Sequence, residues 1–350
     1  MGERFGRYTV LECLGAGGMA TVHRATVEIG GGMQHEVALK RMLPQLADEK
    51  NLVEDFVREA KIAAQLQHPN IVRILELGRT GPTYFIAMEL VRGHSLLALL
   101  KLTAGRGGTV PIGIVVAILA EILEALDYAT NATDAAGEPL EIVHRDLSPS
   151  NLIITDEGNL KIIDFGVAKS VTGQFMTSSG MVKGKLGYMA LEALAGKAID
   201  KRADLFSVGV VAWELLTGRR LFTGANEYEV ITKIRNGCTE PPSRHNGEVS
   251  PEIDEIVMHA LSRRREDRWP SAAVMKRALD HVRRTYRQGI RELAAWKRTL
   301  IPDPLDHDTT TMEFSMADSM LQTGEDAVRI SSQSFTGTTV VRPPDGMTDD

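Results

Sequence analysis

Cysteine is nearly absent from this chain of 350 residues, which holds only Cys13 and Cys238. The two are far apart and neither has a second Cys or a His at ligand spacing. That excludes a disulfide framework and a zinc site, and it fits a reducing compartment, so a cytoplasmic location is expected. Long apolar runs are missing too. The best candidate, IGIVVAILAEILEALDYA from Ile112, is broken by Glu121, Glu124 and Asp127. It falls short of the roughly 18 apolar residues of a membrane span and reads as a buried helix. The start, MGERFGRYTV, has no apolar signal core, and no internal repeat occurs. Nor is there strong charge of one sign. The net charge is −6, and the ten acids and two bases of residues 301–350 put −8 there and leave +2 on residues 1–300. A near-neutral body gives no electrostatic case for nucleic acid, so neither nucleic acid nor membrane is expected as a partner.

What is present is a globular composition, 43% hydrophobic, on a chain long enough for two domains or one large bilobal one. Residues 8–43 read as strands joined by glycine turns. NLVEDFVREAKIAAQLQ, Asn51 to Gln67, has helical period, with Glu59 in the middle of the stripe formed by Leu52, Phe56, Ala63 and Leu66. Further strands follow, and after Gly93 the pattern turns mainly helical. Strands first and helices afterwards predict an α+β, two-lobed arrangement with a crossover near residues 89–93. The expected division is a β-rich lobe over 1–88, a helical lobe over 89–285, a basic helical extension over 286–300 and an acidic disordered tail over 301–350.

Three groups of residues carry chemistry. In LGAGGMATVHRA, Gly15, Gly17 and Gly18 form a turn between strands. It is either a plain flexible hairpin or a lid whose bare N–H groups close over phosphates, with Val22 as an apolar cover for a base. In EVALKRM, period two puts Lys40 on a face with Ala38 and Met42, where a lone ammonium is costly. Glu59 has the same problem on its helix, so the two are expected to meet, either as a structural ion pair or to aim Lys40 at a phosphate. In HRDLSPSNLIITDEGNLKIIDFG, the turn Asp156-Glu157-Gly158-Asn159 lies between two apolar runs that should pair as a hairpin. Asn151 and Asp164 would then share its open end, where an amide oxygen and a carboxylate suit Mg²⁺, and Asp146 would face the same ion.

At this point the chain closely resembles the bacterial eukaryotic-like (Hanks-type) serine/threonine protein kinases, from about Tyr8 to about Asp280. It has the glycine loop, VALK, the helix Glu59, HRDLSPSN, DFG, DLFSVG and RREDRWPS in the family's order. The resemblance implies a bilobal protein-kinase-like fold, with a small antiparallel β lobe carrying one regulatory helix. It implies ATP and Mg²⁺ (with Mn²⁺ as a substitute), and transfer of the γ-phosphate to Ser/Thr of protein substrates and of the chain itself. In those terms Lys40, held by Glu59, grips the α- and β-phosphates, Asn151 and Asp164 hold Mg²⁺, and Asp146 is the catalytic base. Leu14, Val22, Ala38 and the glycine loop enclose the nucleotide, Met88 is the gatekeeper, and Glu89 to Val91 are the hinge. Asp204 supports the catalytic loop, and Glu192 pairs with Arg268.

Two positions depart from that pattern. Ser148 stands where the family usually has Lys, and Lys185 where it usually has Thr. The polarity is swapped between two loops, and Lys185 is expected to supply the cation that Ser148 lacks. Leu191 replaces the Pro that ends the usual activation segment. Arg145 offers a site for a phosphate on Thr177, Ser178 or Ser179, placed by an upstream kinase or by the chain itself. An adaptor is a further expected partner, and the basic stretch 276–298 is either a landing site for the acidic tail or a solvated helix. The rival expectation is a pseudokinase scaffold in which Ser148 and Leu191 mark decay. A small-molecule kinase of similar fold fits less well.

Overall fold

A computed structural model describes residues 2–134, 136–165, 185–237, 240–286 and 289–301. The chain starts with β1 (Glu3–Phe5), β2 (Tyr8–Ala16), β3 (Ala20–Glu28) and β4 (Gln34–Met42), followed by α1 (Lys50–Ala63), β5 (Ile74–Thr80) and β6 (Thr83–Glu89). These six strands form one antiparallel sheet in the order β1-β2-β3-β4-β6-β5. β4 pairs with β3 across Val22 and Lys40, and with β6 across Ala38 and Met88. Helix α1 ends earlier than its period suggests. It ends at Ala63, with Ala64 as its C-cap.

The remaining elements are β7 (Gly93–Ser95), α2 (Leu96–Gly105), α3 (Ile112–Thr130), β8 (Leu152–Thr155), β9 (Leu160–Ile162), α4 (Leu191–Leu194), α5 (Arg202–Thr217), α6 (Glu227–Asn236), α7 (Pro251–Ala260), α8 (Ala272–Arg283) and α9 (Ile290–Leu300). α3 is the apolar run from Ile112, and most of its residues are buried, as are nearly all of α5. These two form the centre of a helical lobe, so the protein has the two-lobed α+β architecture. Among the described residues, no helix is long and apolar enough to cross a membrane.

β8 and β9 form the expected hairpin, joined by β7 in a small sheet, but the register differs by one residue from the symmetric one. Leu152 faces Ile162, and the Thr155 N–H donates to the Asn159 carbonyl. Gly158 is the cause: at φ +88° it takes the left-handed conformation of a three-residue turn. Asn151 therefore lies opposite Ile163, one residue before Asp164. The basic stretch 276–298 is not one helix but parts of α8 and α9. Its Lys297 is buried, with the ammonium 2.5 Å from Asp156 Oδ1 and 3.3 Å from the Ile154 carbonyl. That charge is used inside the protein.

Candidate active site

Alternation along β3 and β4 buries Val22 and Ala38 on one face of the sheet. With Leu14, Met88 and Val91 they belong to one apolar cluster, which also contains Ile153 of β8 and Ile163, just past the end of β9. Those two isoleucines reach the cluster from the opposite side, and sequence reasoning missed them. β8 is Leu-Ile-Ile-Thr with all four residues buried, so no alternation singled out Ile153. The glycine turn sits at the edge of this cluster, with Gly15 opposite Val22 and the Gly17 N–H donating to the Ala20 carbonyl at 2.7 Å. Gly18 lies in the same turn. At the crossover, the Glu89 carboxylate accepts from Lys161 at 2.5 Å and from the Arg73 N–H at 3.1 Å, which fixes the segment leading to Val91.

Lys40 is the polar exception on its face. Its Nζ lies 3.3 Å from Glu59 Oε1 and 2.9 Å from Asp164 Oδ1. Burial opposes its charge, but the Asp164 and Glu59 carboxylates outweigh that and raise its pKa above the usual lysine value. One ammonium between two carboxylates leaves the cluster net negative.

The catalytic-loop segment is held from below. Arg145 has φ +63° and Asp164 φ +52°, conformations that need support from their surroundings. Asp204, buried on α5, supplies it for the loop by accepting the His144 N–H at 2.7 Å and the Arg145 N–H at 2.9 Å. Burial pushes the Asp204 carboxyl up to about 6, although both N–H donors favour its charge. His144, which sequence reasoning gave no role, is fully buried. Its Nδ1 accepts the Asp146 N–H at 3.2 Å, its Nε2 donates to the Ile163 carbonyl at 3.3 Å, and its ring packs on Phe165. It ties the loop of Asp146 to the strand end that carries Asp164.

Asp146, Asn151 and Lys185 come together above this support. Asn151 Nδ2 donates to the Asp146 carbonyl at 2.8 Å and to Oδ2 at 3.1 Å. Lys185 Nζ lies 2.8 Å from Asp146 Oδ2 and 3.3 Å from Asn151 Oδ1. Ser148 is buried and shares a hydrogen bond with Ser150 at 2.9 Å. Glu192 and Arg268 form a buried bidentate pair at 2.7 and 2.9 Å. Gly166, Thr177, Ser178 and Ser179 lie outside the described residues.

Among the described residues, no three His, Cys, Asp or Glu side chains cluster around a metal site. Asn151, whose carbonyl accepts the Ile163 N–H at 3.0 Å, and Asp164, the next residue after Ile163, carry hard-oxygen donors beside a net negative cluster. That set suits a cation such as Mg²⁺, which takes few protein ligands and completes its shell with water and phosphate oxygens.

The protein kinase domain family matches residues 8–281. The chain belongs to this family. It is 39% identical over 278 residues to the Tyrosine-protein kinase MasK of Myxococcus xanthus, covering 79% of this chain and 43% of that protein. It is 32% identical over 277 residues to the Serine/threonine-protein kinase PrkC of Bacillus subtilis, covering 79% of this chain and 40% of that one. It thus spans about two fifths of the length of these relatives. Among solved structures, the Mycobacterium tuberculosis PknI kinase domain matches at 26% identity and a TM-score of 0.59, over 80% of this chain and 97% of that one. The kinase match ends at residue 281, before α9.

Proposed function

We propose that this kinase transfers the γ-phosphate of ATP to Ser and Thr hydroxyls of proteins, itself included, as a bacterial Hanks-type enzyme does. One observation carries the reading: Lys40, Glu59 and Asp164 meet in one cluster, Asp146, Asn151 and Lys185 meet in another, and the pairing of Asn151 with Ile163 brings the two clusters together. In this reading Leu14, Val22, Ala38, Met88 and Val91 enclose adenine, and Lys40 takes the α- and β-phosphates while Glu59 orients it. Mg²⁺ held by Asn151 and Asp164 would neutralise phosphate charge. Asp146 accepts the proton of the attacking hydroxyl. Lys185, already on Asp146, sets a positive charge where the transferring group develops negative charge, and so replaces the one missing at Ser148.

Specificity for Ser and Thr rests on LSPSN, which keeps Pro149 and lacks the Arg-and-Ala pattern of tyrosine kinases. The similarity to MasK favours tyrosine as a second reading. A pseudokinase scaffold is the third, resting on Ser148 and Leu191. Phosphoamino-acid analysis after incubation with γ-labelled ATP and Mg²⁺ separates them. Phosphoserine or phosphothreonine supports the proposal and phosphotyrosine supports the second reading. ATP binding without label supports the scaffold.

A further inference from the structure

A groove of about 110 Å³ lies between α2 and the end of α5, where it has no part in the nucleotide site. One wall is the face of α2 that carries Leu97, Leu100 and Ala104, at i, i+3 and i+7 of the helix. Its rim carries Lys101, Arg219 and Arg220 against one carboxylate, that of Glu214. Glu214 is itself buried and held by the Tyr188 hydroxyl at 2.6 Å, by Arg220 at 3.5 Å and by the Leu221 N–H at 3.2 Å. The open side of the groove is therefore apolar at the base and cationic at the rim.

Two connections give this place its meaning. Arg106, two residues beyond Ala104, donates to the Thr299 carbonyl at 2.5 Å and the Leu300 carbonyl at 2.8 Å. It fixes the end of α9, so residue 301 leaves the protein beside the groove. On the other side, Tyr188 closes a short turn that starts at Lys185, whose ammonium is on Asp146. The groove thus lies between the point where the acidic tail departs and the candidate catalytic base.

We propose that the groove docks residues 302–308 of the same chain and delivers Thr309, Thr310 or Thr311 to Asp146. The segment PDPLDHDTTT is the chemical complement of the site: Leu305 for the apolar wall, and Asp303, Asp306 and Asp308 for the rim. The eight residue steps from Ile301 to Thr309 reach about 26 Å when extended. Of the rim cations, Arg220 pairs with Glu214 and Arg219 lies 3.2 Å from His245 Nδ1, so the acids of the tail would join contacts already present. This inference rests on the proposed transferase activity. The Thr oxygen forms a bond to the γ-phosphorus of ATP as the bond to the β,γ-bridging oxygen breaks. ADP leaves with that electron pair, and the hydroxyl proton passes to Asp146.

The test follows phosphate at residues 309–311 by mass spectrometry in the full chain, with a basic protein substrate assayed in parallel. Tethering makes the expected rate first order and independent of protein concentration over about a twentyfold range. In Lys101→Glu/Arg219→Glu, tail labelling should fall about tenfold while transfer to the basic substrate does not fall. Adding Asp303→Lys/Asp306→Lys/Asp308→Lys should restore it. The inference is overturned by tail labelling that ignores the rim reversal, that rises with protein concentration, or that is absent while the basic substrate is labelled. Loss of both activities without rescue by the tail reversal also overturns it. No transfer by the native protein to either acceptor would overturn the proposed activity itself, and this inference with it.

Discussion

Lys40 on β4 and Asp164, just beyond β9, are joined at 2.9 Å, so one ammonium ties the six-stranded sheet to the hairpin of the helical lobe. Glu59 on α1 reaches the same ammonium at 3.3 Å. Three separate elements therefore set the position of one charge.

Replacing Glu59 by Gln leaves Lys40 to Asp164 alone. Its orientation toward phosphate should loosen, and kcat/KM for ATP should fall about tenfold or more. Steady-state kinetics against ATP concentration measure this, and an unchanged kcat/KM would contradict it.

Asp204 gives the protein a pH dependence of definite sign. Its carboxyl is raised to about 6 in the folded state, above the ordinary carboxyl range. Its contribution to stability is therefore complete below the unfolded-state pKa near 4 and is lost as pH rises through about 6. Activity runs the other way, because the ionised form is the better acceptor for the two loop N–H groups. Turnover should fall below about pH 6 along a one-proton limb. Asp204→Asn, measured over the same range, should lack that limb.

Arg268 is fully buried at its side chain and meets Glu192 with two hydrogen bonds. Arg268→Ala strands a buried carboxylate and should cost about 3–5 kcal/mol in urea unfolding. A loss of less than about 1 kcal/mol would mean that the pair anchors nothing.

Gly158 combines a left-handed φ of +88° with a close approach to α9. A Cβ there would come within 2.7 Å of both the Ala294 Cβ and its backbone nitrogen. Gly158→Ala should cost about 1–3 kcal/mol and increase hydrogen exchange in α9. Unaltered exchange in Ile290–Leu300 would show that the helix does not depend on the hairpin turn.

Much of this was legible in the sequence for a physical reason. Lys40 and Glu59 stand out because charges on apolar faces are costly, and the β8–β9 hairpin stands out because its turn chemistry is strong. The docking of α9 was not legible. Lys297 looks like one more surface base until Asp156, far away in sequence, is seen to neutralise it. His144 was hidden similarly, since its role is to link backbone groups that only the fold brings together. Ile153 and Ile163 read as ordinary core because the cluster they complete draws on both sheets.

In the proposed mechanism a catalytic cation has moved from position 148 to position 185. The measurement is the γ-phosphate transfer rate of Lys185→Ala set beside Ser148→Lys/Lys185→Thr. Removing one stabilising charge should lower kcat about a hundredfold in Lys185→Ala, with KM for ATP little changed, while the double variant keeps most of the native rate. A Lys185→Ala protein as active as the native one would mean that Lys185 does not replace the missing cation.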